Sequence, residues 1–186
     1  MVIFKKISDI KKYVSAETGK GHKIGFVPTL GALHEGHLSL IHKALEDKML
    51  PLCSIFLNPT QFNDIRDLEK YPVSTEADIE LLLKAGCEVL FMPDVNEMYP
   101  GGESHTRTYD FGYLDTILEG AKRPGHFKGV GQVVARLLEI VTPDNLYLGQ
   151  KDYQQCMVIK KLAVMMDWIN CKLLFAQRCG NRTDWR

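Results

Sequence analysis

The sequence predicts an α/β protein, a parallel sheet with helices packed on both of its faces. Two observations carry that prediction. Short apolar runs bounded by turn residues alternate with longer segments of helical period along the chain, an order that closes as a parallel sheet with crossover helices. With 186 residues, 45% of them apolar, the chain fits one compact domain, or one domain and a fragment of another, and can bury a substantial core.

The elements follow in order. Residues 7 to 18 read as a short amphipathic helix with lysines on its wet side, followed by a Gly-Lys-Gly turn. "KIGFVP", residues 23 to 28, reads as a buried strand stopped by Pro28, and "HEGHLSLIHKALEDKM" as the helix after it. A second apolar run, "LPLCSIFL" at 50 to 57, ends at Asn58-Pro59, and the polar stretch from 63 to 73 lacks a sustained period and reads as a loop. "STEADIELLLKAG" has Ser or Thr at its start, acids in its first turn and Gly86 at its end, the marks of a helix. "CEVLFMP" supplies the third strand. The glycines, prolines and polar residues from Asp94 to Asp110 imply a loop, with helices at about 112 to 119 and 126 to 140 before Pro143. "NLYLG" makes a fourth strand, "YQQCMVIKKLAVMMDW" a helix and "CKLLFA" a fifth strand.

Composition excludes several roles. Lysine plus arginine number 23, as do aspartate plus glutamate, so bulk electrostatics support neither nucleic acid nor an anionic membrane as partner. The five cysteines form no CxxC pair and most lie in apolar runs, which reads as buried reduced thiols in an intracellular protein. No stretch approaches the length of a membrane span, so the expected compartment is the cytoplasm.

Chemistry concentrates in polar clusters that each follow a predicted strand, and ligands bind beyond the carboxyl ends of parallel strands. In "PTLGALHEGH" (28 to 37), Gly31 and Gly36 permit a tight turn or close backbone contact with a ligand. A helix beginning near Glu35 or Gly36 would turn free N–H groups and its positive dipole end toward phosphate. His34 and His37 flank that end and are candidates for steadying phosphates and donating hydrogen bonds to a leaving pyrophosphate. Alternatively, the segment is a plain connection and the histidines face solvent. In "NPTQF", Asn58 and Gln61 offer neutral amides to a small polar substrate, or form a simple turn.

"GQKDYQQ" places Gly149 after a strand and Lys151 and Asp152 near a helix start. Lys151 can neutralise phosphate in a transition state, and Asp152 can cap the helix or bind ribose or a magnesium-bound assembly. Gln154 and Gln155 point in different directions if helical, so at most one reaches a ligand. Arg123 and His126 approach a further helix, either at phosphate or as a basic loop with a structural histidine. No Walker pattern or dinucleotide fingerprint is present. The cysteines lack zinc spacing and two histidines complete no site, so no protein-held metal is expected.

Together "VPTLGALHEGHLSLI", "FLNPTQF", "EADIELLLKAGCEVLFMP", "EMYP", "RPGHFKGV" and "LYLGQKDYQQ" closely resemble the pantothenate synthetase (pantoate–beta-alanine ligase) family. The resemblance runs in order from near residue 1 to about 168. His34-Glu35-Gly36-His37 resembles the HxGH signature of nucleotidylyltransferases and class I aminoacyl-tRNA synthetases. The fold implied is a Rossmann-like nucleotide-binding domain, normally followed by a smaller closing domain and usually found in a homodimer. The activity implied is cytoplasmic, magnesium-dependent and in two steps. Pantoate attacks the α-phosphate of ATP to give pantoyl adenylate and pyrophosphate, and beta-alanine then displaces AMP.

Carried over by this resemblance, Leu30, Gly31, Ala32, Leu33, His34, Glu35, Gly36 and His37 form the ATP-binding loop. His37 stands where a proton donor is described, and His34 would contact phosphates. Asn58 would position reactants, while Gln61 and Gln155 would hold pantoate, Gln61 also near beta-alanine. Gly149, Gln150, Lys151 and Asp152 form the second ATP segment, with Lys151 stabilising the transferring charge.

The family pattern is also broken in places. Leu30 replaces a usual methionine, and Val73 follows Tyr71-Pro72 where arginine is common. After about Asp167 the sequence lacks the family's Val-Arg-Glu-x-Asp-Gly-Leu-Ala region and Ser-Ser-Arg-Asn motif, and closes with "AQRCGNRTDWR". The expectation is a nucleotide-binding unit over 1–175 with an atypical tail over 176–186, a truncated or frameshifted product in which ATP binding survives weakly and adenylation is impaired. The alternatives are a nucleotide-binding remnant without turnover and a nucleotidylyltransferase acting on another small substrate.

Overall fold

The structure, a computed structural model, describes residues 1–62, 65–102, 107–151, 153–168 and 171–176. The elements run β1 (Val2–Phe4), α1 (Ile7–Gly19), β2 (Ile24–Thr29), α2 (Glu35–Glu46), β3 (Leu50–Ile55), a 3-10 turn (Pro59–Gln61), α3 (Ile65–Glu69), α4 (Thr75–Lys84) and β4 (Val89–Phe91). They continue with α5 (Val95–Met98), a 3-10 turn (Gly112–Asp115), α6 (Leu118–Lys122), α7 (His126–Val141), β5 (Asn145–Gly149), α8 (Tyr153–Met165) and β6 (Lys172–Ala176). All six strands join one parallel sheet in the order β1-β4-β3-β2-β5-β6.

Alternate residues of each strand feed two cores, as the pleat requires. Ile24, Phe26, Leu52, Val89, Phe91, Leu146 and Leu148 face α1, α7 and α8. Val27, Cys53, Ile55, Leu90 and Tyr147 face α2 and α4. The sheet is thus covered on both sides, as predicted. The four described cysteines are free, three of them buried, and burial pushes the Cys87 thiol up to about 11. Among the described residues, no helix is long and apolar enough to cross a membrane.

The strand order reverses between β2 and β5, since β3 and β4 lie to one side of β2 and β6 lies beyond β5. Ligands of open parallel sheets bind at such a reversal. The β2–β3 ladder runs from Ile24↔Leu50 to Thr29↔Ile55, whereas that between β2 and β5 covers Gly25↔Asn145 and Phe26↔Leu146 alone.

Several elements differ from the sequence reading. β1 was not predicted: its three residues are too few to display a period, and pairing with β4 creates it. Pro28 does not stop β2, which continues to Thr29. The carbonyls of Lys23 and Thr29 bond toward β3 and that of Ile24 toward β5, so by alternation the Pro28 nitrogen faces β5. The ladder has already ended there, and the missing N–H costs no rung. The loops expected at 63–73 and 94–110 contain the short helices α3 and α5. The tail expected over 176–186 lies, from residue 177, outside the described residues.

Candidate active site

The turn after β2 is backbone under constraint. Gly31 has φ +90° and Ala32 φ +51°, so two consecutive residues are left-handed, the second without glycine's freedom. What holds them is Asp78, a carboxylate on α4 that is 2% exposed. It accepts from the backbone N–H of Ala32 at 2.9 Å, from that of Leu33 at 2.8 Å, and from the Ser74 hydroxyl at 3.2 Å. The Gly31 N–H donates to Thr29 Oγ1 at 3.3 Å.

Immediately beyond this turn, His34 caps α2. Its Nδ1 accepts from the Gly36 N–H at 3.0 Å, and His37 Nδ1 accepts a long bond from the His34 N–H at 3.4 Å. Accepting at Nδ1 puts the proton of each neutral imidazole on Nε2, leaving an N–H on the other edge of each ring. The rings lie 4.1 Å apart between centroids. His34 is exposed and His37 half-buried. Burial, first, and then the neighbouring His34 push His37 down to about 4, with Lys151 adding to the fall and Asp78 opposing it. His37 is therefore neutral near pH 7. Of the amides at the start of α2, that of Gly36 is engaged by His34 Nδ1 and that of His37 by the His34 carbonyl at 2.8 Å, while those of Ala32 and Leu33, in the turn before it, are held by Asp78.

The turn after β3 is fastened to α7. Asn58 is fully buried; its Nδ2 donates to Thr60 Oγ1, to Gln61 Oε1 at 3.4 Å and to the Gly129 carbonyl at 3.2 Å. Its Oδ1 accepts from the Tyr99 hydroxyl at 2.9 Å. These contacts make Asn58 a bracket for the Pro59–Gln61 turn. His126, 6% exposed, has Nδ1 2.8 Å from the Gln61 carbonyl, the structural role rather than the phosphate-facing one. A Cβ at Gly129 would stand 2.4 Å from the Thr60 carbonyl oxygen, so only glycine lets α7 lie this close.

After β5, Gly149, Gln150 and Lys151 are exposed, and among the described residues nothing lies within 4 Å of where a Gly149 Cβ would stand. Asp152 lies outside the described residues. The glutamine pair divides as its helical placement predicts. Gln154 is buried, with its Oε1 on the Glu119 N–H and its Nε2 on the Leu114 and Ile117 carbonyls, while Gln155 is half-buried. Arg123 pairs with Glu119 at 3.2 Å.

The structure thus brings the loops after β3, β2 and β5, three adjacent strands, to one sheet edge, where Lys151 acts on His37. Sequence reading missed Asp78 and Tyr99. Asp78 showed only as an acid in a helical first turn, a position that suits the dipole and gives no sign of burial. Among the described residues, no group of three His, Cys, Asp or Glu side chains could hold a metal ion.

A family model described as pantoate-beta-alanine ligase matches residues 2–174. The pantothenate synthetase of Porphyromonas gingivalis is 48% identical over 166 residues, covering 89% of this chain and 58% of that protein. That of Cytophaga hutchinsonii is 48% identical over 162 residues, 87% of this chain and 56% of that one. The chain therefore spans under two thirds of the length of these relatives. Among solved structures, the Francisella tularensis pantoate-beta-alanine ligase, complexed with beta-gamma ATP and beta-alanine, superposes with TM-score 0.91 at 42% identity, covering 98% of this chain and 69% of that one. The Thermus thermophilus pantothenate synthetase gives 0.88 at 36%, covering 97% and 63%. A Leishmania major tyrosyl-tRNA synthetase, 13% identical with TM-score 0.51, shares the fold alone.

Proposed function

The chain belongs to the pantoate-beta-alanine ligase family, and from that premise we propose that it serves the ATP-dependent condensation of pantoate with beta-alanine through a pantoyl adenylate, releasing pyrophosphate and AMP. The observation that carries the reading is the paired imidazoles His34 and His37, under the influence of Lys151, beside the strand-order reversal. Both rings hold their protons on Nε2 and offer donors to phosphate oxygens. Neutral His37 donates a hydrogen bond rather than a charge, until a bound polyphosphate raises its pKa.

Charge grows on the leaving pyrophosphate, and Lys151 with the imidazole N–H groups are the fixed donors that stabilise it. His34-Glu35-Gly36-His37 then acts as an HxGH signature. Leu30 to His37 and Gly149 to Asp152 receive ATP, with magnesium arriving on its phosphates. Gln61 and Gln155 hold pantoate, aligning its carboxylate with the α-phosphate. Asn58 works through its grip on the Gln61 turn. The beta-alanine and ATP analogue named for the Francisella ligase support the same substrates here. A homodimer in the cytoplasm belongs to this reading and rests on the family resemblance.

The test is pyrophosphate release from ATP and magnesium, with and without pantoate. Pantoate-dependent release that falls about 100-fold in Lys151→Ala supports adenylation at this site. Release independent of pantoate, or unchanged by the substitution, overturns it.

A further inference from the structure

The turn from Gly31 to Leu33 has the form of a backbone nest, successive N–H groups curled by left-handed residues around an anion. Its anion is internal. The Asp78 carboxylate fills it, 46 positions along the chain from Ala32, and would lie 3.1 Å from a Cβ on Gly31. Ala32 at φ +51° is held where a residue with a side chain rests uphill. Two short bonds from its own amide and from the next compensate. Leu33 then packs into the core shared with Leu82 of α4, and His34 follows directly. The height and tilt of both imidazoles thus descend from a carboxylate on a different helix.

The geometry points to Asp78 as the positioning residue of the nucleotide site: by occupying the 31–33 nest it closes that turn to phosphate and sets the His34 and His37 rings as the donors phosphate meets. The inference rests on the proposed function for its ligand, while the clamp itself can be tested without nucleotide. It also gives Asp78 a second, electrostatic reach, because its charge opposes the other influences on His37, namely burial, His34 and Lys151.

The decisive substitution is Asp78→Asn, of nearly the same shape. An amide oxygen can accept from one of the two backbone donors, but its NH2 faces the other. In the full chain, ATP affinity measured by calorimetry with magnesium should fall about tenfold, the scale of a lost charge-assisted pair. Adding Ala32→Gly should recover about threefold, because glycine reaches the left-handed turn without the carboxylate's help. The His37 ring, followed by NMR, should titrate lower in Asp78→Asn than in the parent. A merely structural Asp78 predicts a lower melting temperature, affinity within about twofold of the parent and no rescue by Ala32→Gly; that result overturns the inference.

Should Asp78→Asn not fold, Ser74→Ala removes the third donor to the carboxylate, and unchanged ATP affinity there overturns the inference equally. A parent chain that binds no ATP would overturn the proposed function and the nucleotide role with it. Independently, Ala32 and Leu33 amide signals that keep their positions and exchange protection in Asp78→Asn would overturn the clamp.

Discussion

The Nδ1 of His126 stands 2.8 Å from the carbonyl oxygen of Gln61, tying the first residue of α7 to the last of the Pro59–Gln61 turn. A carbonyl accepts only, so the ring must carry its proton on Nδ1. Replacing His126 with Phe leaves that buried carbonyl without this donor and should cost about 1–3 kcal/mol in urea unfolding. His126→Asn, which can place an N–H near the same point, should lose less. If both variants unfold alike, the bond is not what holds the turn.

Gly129 faces the same turn from the next helical rung. A methyl there would meet the Thr60 carbonyl oxygen at 2.4 Å and its carbon at 2.6 Å, both rigid backbone. Gly129→Ala should therefore destabilise the fold by about 2 kcal/mol, despite alanine's better helix propensity, and, on the role proposed for Gln61, weaken pantoate binding by moving that residue. Paired denaturation and calorimetry check both effects.

The depressed pKa of His37 makes stability depend on acid. The ring titrates near 6.5 when unfolded and near 4 when folded, so between those values the unfolded chain takes up a proton that the folded chain does not. Stability contributed by neutral His37 is complete above the unfolded value and is lost as pH falls toward the folded one. The urea midpoint should drop between neutral pH and pH about 5, and His37→Gln should flatten that drop. ATP should move the ring's NMR midpoint upward and bind more tightly as pH falls.

At the far end of the sheet, the Tyr147 hydroxyl donates to Asp47 Oδ2 at 2.8 Å and accepts from Asn145 Nδ2 at 3.0 Å. Burial, first, pushes its phenol up to about 12. Tyr147→Phe should cost about 1–2 kcal/mol of stability while leaving ATP affinity unchanged. An affinity change would show that this end of β5 communicates with the loops.

The layout of the fold is legible because it is written in apolar period and punctuation, which is why β2 through β6 and the longer helices α1, α2, α4, α7 and α8 are located in order, while the short α3 and α5 are not and the helix expected at about 112–119 is a 3-10 turn followed by α6. The loops bearing His34, Gln61 and Lys151 could be assigned to one edge from chain direction alone. Other features depend on partners remote in sequence. β1 exists because β4 offers it an edge. Asp78 looks like any first-turn acid until Ala32 and Leu33 arrive beside it. Asn58 reads as a free amide until Tyr99 and Gly129 occupy it. Local signals name candidate chemistry, but they do not reveal which polar groups the fold has already used.

The two-rung ladder between β2 and β5 makes the sheet a pair of tongs. Its pivot lies at Gly25, where a Cβ would collide with that of Met49 at 2.8 Å, and its arms end at Thr29 and Gly149. Three residues of strand beyond Phe26 give a lever of about 10 Å, so a tilt of about 5° at the pivot moves the tips by roughly 1 Å. The close packing around Gly25 thus lies at the opposite end of that lever from the loops that carry His37 and Lys151.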